Sequence, residues 1–538
     1  MDRIPQPRTS VRWLLFGLAF VITSGFRFLT LGDGFPNDHF VYITGGWQML
    51  FGEWPTRDWV DPGLPLMFAA SALAQAIFGK VLFAEAVLVS GAFGLGAALT
   101  AAAVLELTGS LWIAILAAVL EVAVFPRTYG YPKVLVYAAA FLCFARYINR
   151  PSTGRVIAMA VSVVVAFLFR HDHGLFLGVG GALTIALAPS SGGLRTRVRS
   201  LGLFVGVGLL LVLPYLVYVE ANGGLLSYVR TGMDFSRREA ARQWHVWPAV
   251  VGDVDPLASA LVYELYAVPL LALAVLVVCR RDPRIGIFTA QVIPVAAVAL
   301  MVNYYFIRDP LVTRLPDAIV PALMLGAWLI LRTASTQRLR PVAIPVAALS
   351  LVLFSASVGA AGDIVGNLER ADLIHEWDHI PRLLRERTQS LHERFSERQI
   401  PTRATAGLLP FFSYVDRCTT PDQRLLVGGY LVELPFFAQR RFAAGQPYFG
   451  GSFGGEELQR QALRRLREQV VPFAVIPSDY VGNIESNFHD VGQYLQSRYT
   501  TLTNLHITNE LDLKILVDTS LTPTGRDPET GWPCFRAY

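Results

Sequence analysis

The chain has 538 residues, of which 53% are hydrophobic and only 16% are charged, and its mean hydropathy is +0.44. A soluble domain carries roughly 25% charged residues, so this composition excludes a disordered, fibrous or ordinary cytosolic protein and a small disulfide scaffold. The 46 basic and 41 acidic residues leave a net charge of +5, an excess too small to indicate nucleic-acid binding.

Long apolar runs repeat through the first two thirds of the chain. A membrane-spanning helix needs ~20 mostly apolar residues. The first run lacks a small-residue cleavage site, so we interpret it as an anchor rather than a signal peptide. Eleven spans are predicted, near 12–31, 82–107, 111–126, 133–149, 156–169, 174–189, 201–219, 257–279, 285–304, 311–331 and 341–361.

The apolar stretch 64–79 could be a twelfth span. Lysine and arginine are enriched in cytoplasmic loops, and eleven spans place five arginine clusters in the cytoplasm, whereas a twelfth span would move four of them outside. We therefore predict that 64–79 is a helix lying on or dipping into the outer leaflet. The clusters are Arg3, Arg8 and Arg12; Arg146, Arg150 and Arg155; Arg195, Arg197 and Arg199; Arg280, Arg281 and Arg284; Arg332, Arg338 and Arg340.

This topology predicts where chemistry takes place. The inner loops are short and carry little except arginine, so the chemistry is expected on the outer face. The scarcity of lysine relative to arginine suggests a GC-rich bacterial genome, which makes the bacterial plasma membrane the expected location. The segments placed outside are 31–80, 127–133, 170–173, 220–256, 305–309 and the portion from about 362.

The C-terminal portion has a different pattern. Between 362 and 400 apolar residues recur at helical spacing, which predicts an amphipathic helical connector. From 401 to 538 short β-like runs alternate with helical patterns, which predicts an extracytoplasmic α/β domain. Cys418 and Cys534 could pair if that domain is extracytoplasmic. The spacing rests on Trp377, Ile380, Leu384, Leu391 and Phe395, the β-like runs are 424–430, 472–478 and 511–517, and the helical patterns are 456–469 and 487–499.

Three carboxylates of the first outer loop are candidates for chemistry. Asp38 follows the first span closely, so it is a candidate general base at the lipid–water boundary, or only the cap of a helix from His39 to Leu50. Asp58 and Asp61 could take part in acid–base work or hold a hard cation. Turn and ion-pair roles, the latter with Arg57, are the alternative for both.

The same loop has a residue pattern that is shared with a known superfamily. It consists of Asp38, Tyr42, Gly45, Leu50, Gly52, Pro55, Arg57, Asp58, Gly63 and Pro65, before an apolar helix that ends at Phe78-Gly79. It resembles the first outer loop of the GT-C glycosyltransferases, which use polyprenyl-phosphate sugars and include protein O-mannosyltransferases, lipid A aminoarabinose transferases and mycobacterial arabinosyltransferases. The resemblance implies a GT-C-like transmembrane domain over 1–361, juxtamembrane helices in 31–80 and Asp38 as the catalytic residue.

A second segment, RLLVGGYLVELPFFAQRRFAAGQPY at 424–448, resembles the outer α/β domain of bacterial members of this group. One departure concerns metal binding. The superfamily's more usual acidic pair is Asp-Glu, whereas here Asp38 is followed by His39. No cofactor is therefore assigned, and the sequence leaves open whether a divalent cation binds.

Cationic residues at the outer ends of several spans are candidates for a lipid phosphate. In the sequence Arg170-His171-Asp172-His173, we expect Arg170 and His173 to hold phosphate oxygens, with metal binding and interfacial snorkelling as alternatives. Arg308 sits where a prenyl phosphate head is expected. Lys133 and Tyr129 could line the same cavity, and Tyr42 and Asp58 are further substrate-binding candidates.

The sequence thus predicts an inverting glycosyltransferase that moves a sugar from a polyprenyl-phosphate donor to an acceptor hydroxyl on a cell-envelope glycan, lipid or protein. The chain has no nucleotide-binding motif, which fits a lipid-linked donor. The outer loop 221–256 could stack sugars or be a solvated loop. The alternatives are a lipid or solute transporter and a glycan-polymer ligase that uses diphosphate-linked donors. Transport is disfavoured because ionisable groups concentrate at the outer ends of the spans.

Overall fold

A computed structural model describes residues 7–31, 34–189, 193–241, 255–307, 315–335, 340–373, 379–393, 407–508 and 511–536. Helices form at all eleven predicted spans. Seven of the described helices are long and apolar enough to cross a membrane, namely α1, α4, α6, α9, α11, α12 and α14. The helices to this point are α1 Thr9–Leu29, α2 Asn37–Leu50, α3 Pro65–Phe78, α4 Leu82–Thr108, α5 Leu111–Ala123, α6 Tyr131–Asn149, α7 Thr153–Phe169, α8 His171–Leu187, α9 Gly193–Ala221, α10 Leu225–Ala241, α11 Pro256–Val278, α12 Ile285–Ile307, α13 Leu315–Ser335 and α14 Arg340–Ala361.

The chain forms two compact units. The first contains Met1–Thr30, Val89–Tyr215 and Gln243–Ile380, and the second contains Leu31–Leu88, Leu216–Arg242 and Pro381–Tyr538. The second unit therefore groups the first long loop with the C-terminal portion. The boundaries at 361 and 400 that the sequence suggests stay a prediction.

The first unit is a helical bundle with α6 at its centre, where α6 contacts α7, α8, α12 and α13. Small residues let these helices approach closely, as is usual in membrane bundles. A Cβ atom added at Gly180 in α8 would lie 2.7 Å from Val298 in α12 and 3.1 Å from Phe144 in α6. The N-terminal ends of α6, α8 and α13 are positioned by this packing.

The second unit contains the hairpin of α2 and α3. A Cβ atom on Gly46 would lie 2.7 Å from the backbone nitrogen of Ala72, so the two helix backbones touch. The predicted helix over 64–79 is thus present as the 14-residue α3. Its placement at the outer leaflet stays a prediction.

A five-stranded mixed sheet forms the core of the C-terminal portion. Strand order is β2-β1-β3-β5-β4, with β1 parallel to β2 and β3, and β5 antiparallel to β3 and β4. The three predicted β-like runs are strands, whereas the sequence patterns missed β2 and β4. The strands are β1 Arg424–Val427, β2 Arg441–Phe442, β3 Phe473–Pro477, β4 Tyr499–Thr508, β5 Leu511–Asp518, β6 Gly525–Arg526 and β7 Pro533–Cys534.

Helices cover the sheet, and one disulfide closes the C-terminal portion. Cys418, at the end of the helix Leu409–Cys418, is joined to Cys534 in β7. The two predicted helical patterns are α19 and α21. The helices after α14 are α15 Ile364–Arg370, α16 Ile380–His392, α17 Leu409–Cys418, α18 Leu434–Phe437, α19 Glu456–Glu468, α20 Val481–Asn487 and α21 His489–Arg498.

Two short helices, α15 and α16, form in the described residues of the predicted amphipathic segment 362–400. The first of them, α15, ends near Asp372, whose φ of 52° lies in the left-handed region that a helix cannot continue through. Leu391 is buried in α16, as the spacing predicts. Trp377 and Phe395 lie outside the described residues.

Candidate functional site

Asp38 lies in the first turn of α2 in the second unit, where the helix N-terminus favours negative charge. Its Oδ1 atom accepts a hydrogen bond from the hydroxyl of Tyr430, which follows β1. The helix begins at Asn37, with Pro36 at the N-cap position, so Asp38 lies inside the first turn and the interpretation of Asp38 as a simple cap is wrong. Burial and the Asp38 charge raise the pKa of Tyr430, which keeps its hydroxyl a donor.

The two neighbours of Asp38 on α2 have packing roles. Tyr42 packs edge-on against His39, with ring centroids 6.2 Å apart, and against Phe68 at 5.9 Å. The Nε2 atom of His39 lies 3.2 Å from Glu85 Oε2, and both side chains are fully buried. The GT-C resemblance leads us to expect Glu at position 39, next to Asp38. The residue found there, His39, instead forms a buried pair with Glu85.

Asp58 and Asp61 stabilise turns. Asp58 Oδ2 accepts from the backbone N–H of Trp54 at 2.7 Å and from Arg57 Nε at 2.8 Å, and this hydrogen bond raises the pKa of Arg57. Asp61 Oδ1 accepts from two backbone N–H groups, those of Gly63 and Leu64, at 2.8 Å each. Asp58 and Asp61 thus have the turn and ion-pair roles that are the alternative to a catalytic or cation-binding role. A substrate contact of Asp58 stays a prediction.

The first unit brings three of the predicted cationic residues to the N-terminal ends of adjacent helices. Lys133, in the first turn of α6, places its Nζ atom 2.7 Å from Asp317 Oδ2 in the first turn of α13. Arg170 precedes α8 and donates to Asp172, from Nε to Oδ1 at 2.9 Å. His173 is buried in the first turn of α8.

His173 connects these two ion pairs. Its Nδ1 atom is 2.5 Å from the hydroxyl of Tyr137, one helical turn further along α6 from Lys133. The charges of Lys133, Arg170, Asp172 and Asp317 all lie close enough to act on its ring. Its Nε2 atom is buried and has no hydrogen-bond partner in the described part of the chain. Two cationic side chains, each paired with a carboxylate, and one buried imidazole thus lie together at these helix ends.

The remaining sequence candidates are weaker or lie elsewhere. Tyr129 occupies the 3-10 turn Thr128–Gly130 just before α6, where Arg127 Nη1 lies 3.4 Å from its hydroxyl. Arg308 lies outside the described residues, as does the stretch 242–254 of the predicted outer loop. Among the described residues, no three His, Cys, Asp or Glu side chains form a group that could hold a metal ion.

A crystal structure of ArnT from Cupriavidus metallidurans bound to undecaprenyl phosphate is similar to this chain, with a TM-score of 0.51 and 16% sequence identity. The match covers 95% of this chain and 98% of that chain. The chain has the GT-C fold. The apo structure of the same ArnT gives a TM-score of 0.48 at 15% identity, with the same coverage. No protein-family model matches the chain, and no curated protein matches it.

The GT-C fold confirms the predicted class, a polytopic helical membrane protein with a C-terminal α/β domain. This is the fold that the resemblance of the first outer loop implied. At 16% identity the likeness carries the fold alone. The chemistry of the site therefore rests on the residues just described.

Three partners of the candidate residues escaped the sequence analysis, namely Tyr430, Asp317 and Tyr137. Asp317 had a signal, because a carboxylate inside an apolar run is costly and usually paired. Tyr430 follows two glycines after a β-like run, a position where parallel strands often present functional groups. No feature of the sequence marked Tyr137, since a tyrosine within an apolar helix is common.

Proposed function

We propose that this chain transfers a sugar from a polyprenyl-phosphate donor to an acceptor hydroxyl at the outer face of the bacterial plasma membrane. The observation that carries the proposal is the GT-C fold, matched over 95% of the chain to a protein crystallised with undecaprenyl phosphate. A lipid-linked donor also suits this chain, because seven of its described helices are long and apolar enough to cross the membrane in which such a donor lies.

Asp38 is the proposed general base. Asp38 lies in the first turn of α2, and its carboxylate accepts a hydrogen bond from Tyr430, 392 residues further along the chain. In the proposed step the acceptor oxygen attacks the anomeric carbon and Asp38 takes the proton of that hydroxyl. The bond from the anomeric carbon to the phosphate oxygen breaks, and the lipid phosphate leaves with the bonding electrons. One displacement inverts the sugar's configuration.

Lys133, Arg170 and His173 are the proposed phosphate-binding group, with Arg308 as a further candidate. Charge develops on the phosphate as it departs, and pre-oriented cations stabilise that charge most effectively. Asp317 and Asp172 hold the Lys133 and Arg170 side chains at 2.7 and 2.9 Å. Preorganisation of this kind reduces the entropy lost when the phosphate binds.

A transfer assay tests the proposal. Purified protein in liposomes is given synthetic undecaprenyl-phosphate mannose, arabinose and aminoarabinose together with an envelope extract, and release of undecaprenyl phosphate is measured. Wild type should turn over at least one donor, and Asp38→Asn should lose at least 100-fold in kcat, within the range of about 10²–10⁴ typical of a general base.

Asp490→Asn is the matched control, because Asp490 is an exposed aspartate in the first turn of α21. It should leave turnover unchanged. Near-normal turnover by Asp38→Asn would remove Asp38 from the mechanism. Movement of the intact donor across the bilayer without release of lipid phosphate would favour a transporter. Turnover of diphosphate-linked donors alone would favour a polymer ligase.

A further inference from the structure

Tyr430 is held at a defined place by the backbone at the end of β1. Gly429 has a φ of +69°, and a Cβ atom there would lie 2.9 Å from Pro477. The N–H of Gly428 donates to Val475 at 2.8 Å, and that of Gly429 donates to Phe449 at 3.1 Å. The turn that carries Tyr430 is thus bonded to both neighbouring segments of the sheet.

Tyr430 is partly packed and partly exposed. Tyr448 packs edge-on against it, with centroids 4.7 Å apart and planes at 89°. Phe453 supports Tyr448 in the same geometry at 5.3 Å. The residue Tyr430 is nevertheless 41% exposed. A substrate could therefore approach the Asp38–Tyr430 pair without displacing the ring.

The helix that carries Asp38 is docked on the same part of the chain. The Thr44 hydroxyl on α2 donates to the carbonyl of Val432 at 3.0 Å. The Phe40 ring packs against Phe436 and Phe437, with centroids 5.9 and 5.5 Å apart. Because these contacts lie within one compact unit, the geometry of the Asp38–Tyr430 hydrogen bond is fixed by packing on both sides.

From this arrangement we infer that Tyr430 is a positioning residue for the reaction, which orients the Asp38 carboxylate so that Oδ2 faces the acceptor hydroxyl. This inference rests on the proposed function. Tyr430 donates to Oδ1 and so leaves Oδ2 as the oxygen that takes the acceptor proton. The C-terminal α/β domain thereby contributes directly to the catalytic step, beyond any part it has in binding the acceptor.

The opposite possibility is that the Tyr430 hydroxyl occupies the place of the acceptor hydroxyl and blocks the base. The two ideas predict opposite changes in rate. Loss of a positioning contact lets the carboxylate rotate, and misplacement of a catalytic group by about 1 Å can cost 100-fold. Loss of a blocking contact would raise the rate or lower the KM for the acceptor.

Tyr430→Phe in the full-length protein decides between them, using the donor panel and envelope extract described above. We expect kcat to fall roughly 10- to 100-fold with little change in the KM for donor or acceptor. The matched control is Tyr494→Phe, which removes a hydroxyl that donates to the Leu466 carbonyl at 3.3 Å in the same domain. The control should keep wild-type kcat, and both variants should unfold near the wild-type temperature.

Each other result has a distinct meaning. If Asp38→Asn is inactive while Tyr430→Phe keeps wild-type kcat, the positioning role is wrong and the proposed function stands. A higher kcat for Tyr430→Phe would replace positioning by blocking. If Asp38→Asn keeps full turnover, sugar transfer stands, but Asp38 is not its base and the positioning role of Tyr430 fails with it. An equal fall for Tyr494→Phe would show general loss of the domain rather than positioning.

Discussion

The Nζ atom of Lys133 lies 2.7 Å from Oδ2 of Asp317, and the two side chains are only 11% and 3% exposed. Removal of one partner of a buried ion pair leaves an uncompensated charge, which typically costs about 3–5 kcal/mol. Asp317→Asn should therefore destabilise the protein strongly. The double change Lys133→Met with Asp317→Leu should cost much less, because no charge is left unpaired.

Thermal unfolding in detergent checks this prediction. The control is Asp282→Asn, since Asp282 pairs with Arg284, whose side chain is 56% exposed, and exposed pairs contribute about 0–1 kcal/mol. Similar losses of Tm for Asp317→Asn and Asp282→Asn would contradict the assignment of Lys133–Asp317 as a buried pair.

Close packing of α1 on α4 depends on Gly94. A Cβ atom there would lie 2.0 Å from Ser24 Oγ and 2.6 Å from the carbonyl oxygen of Phe20, and backbone cannot move aside cheaply. Overpacking of this kind costs typically 1–3 kcal/mol, so Gly94→Ala should lower the Tm clearly. Gly91→Ala on the same helix meets no atom within 4 Å and should be neutral or slightly stabilising. Equal Tm values for the two variants would contradict this packing.

The positions of the membrane helices could be predicted because a lipid environment allows few backbone structures. Backbone groups in a bilayer must be bonded within the segment, so a long apolar run is a helix. Helices at 39–50 and 64–79 were also predicted and correspond to α2 and α3, whereas the close packing of the two at Gly46 was not. These helix positions follow from local sequence and from the solvent around it.

The pairings in the candidate site could not be predicted in the same way. Asp38 and Tyr430 are 392 residues apart, and no periodicity relates them. Lys133 and Asp317 are separated by 184 residues. The strand at Tyr499–Thr508 was missed because YTTLTNLHIT lacks a clear alternation of apolar and polar residues, and it is specified by its pairing with β5.

The disulfide between Cys418 and Cys534 predicts a thiol count. Cys143 and Cys279 are free, so denatured, unreduced protein should react with two equivalents of a thiol reagent, and reduced protein with four. The crosslink closes a separation of 116 residues, and links of this kind contribute typically 2–4 kcal/mol. Cys418→Ser with Cys534→Ser should therefore lower the Tm, whereas Cys279→Ser should not. Four reactive thiols without reductant would contradict the pairing.

Asp527 gives the C-terminal domain an acid-sensitive contact. Its carboxylate accepts from Arg417 Nε at 2.8 Å and Nη2 at 3.0 Å, and from the Thr530 hydroxyl at 2.8 Å. These hydrogen bonds, chiefly those from Arg417, lower the pKa of Asp527 to about 2. An unfolded aspartate has a pKa of about 3.9, so the native state holds the charged form more tightly than the unfolded state does.

The contribution of Asp527 to stability should therefore be complete above about pH 4 and be lost as the pH falls towards about 2. We expect wild type to unfold at a higher temperature than Asp527→Asn near neutral pH, with a gap that narrows steadily below pH 4. Tm values for both proteins between pH 7 and pH 2.5 measure this, with Asp490→Asn as the exposed control. A gap that stays constant or widens on acidification would contradict the pairing, because protonation of a contact that favours the charged carboxylate must weaken it.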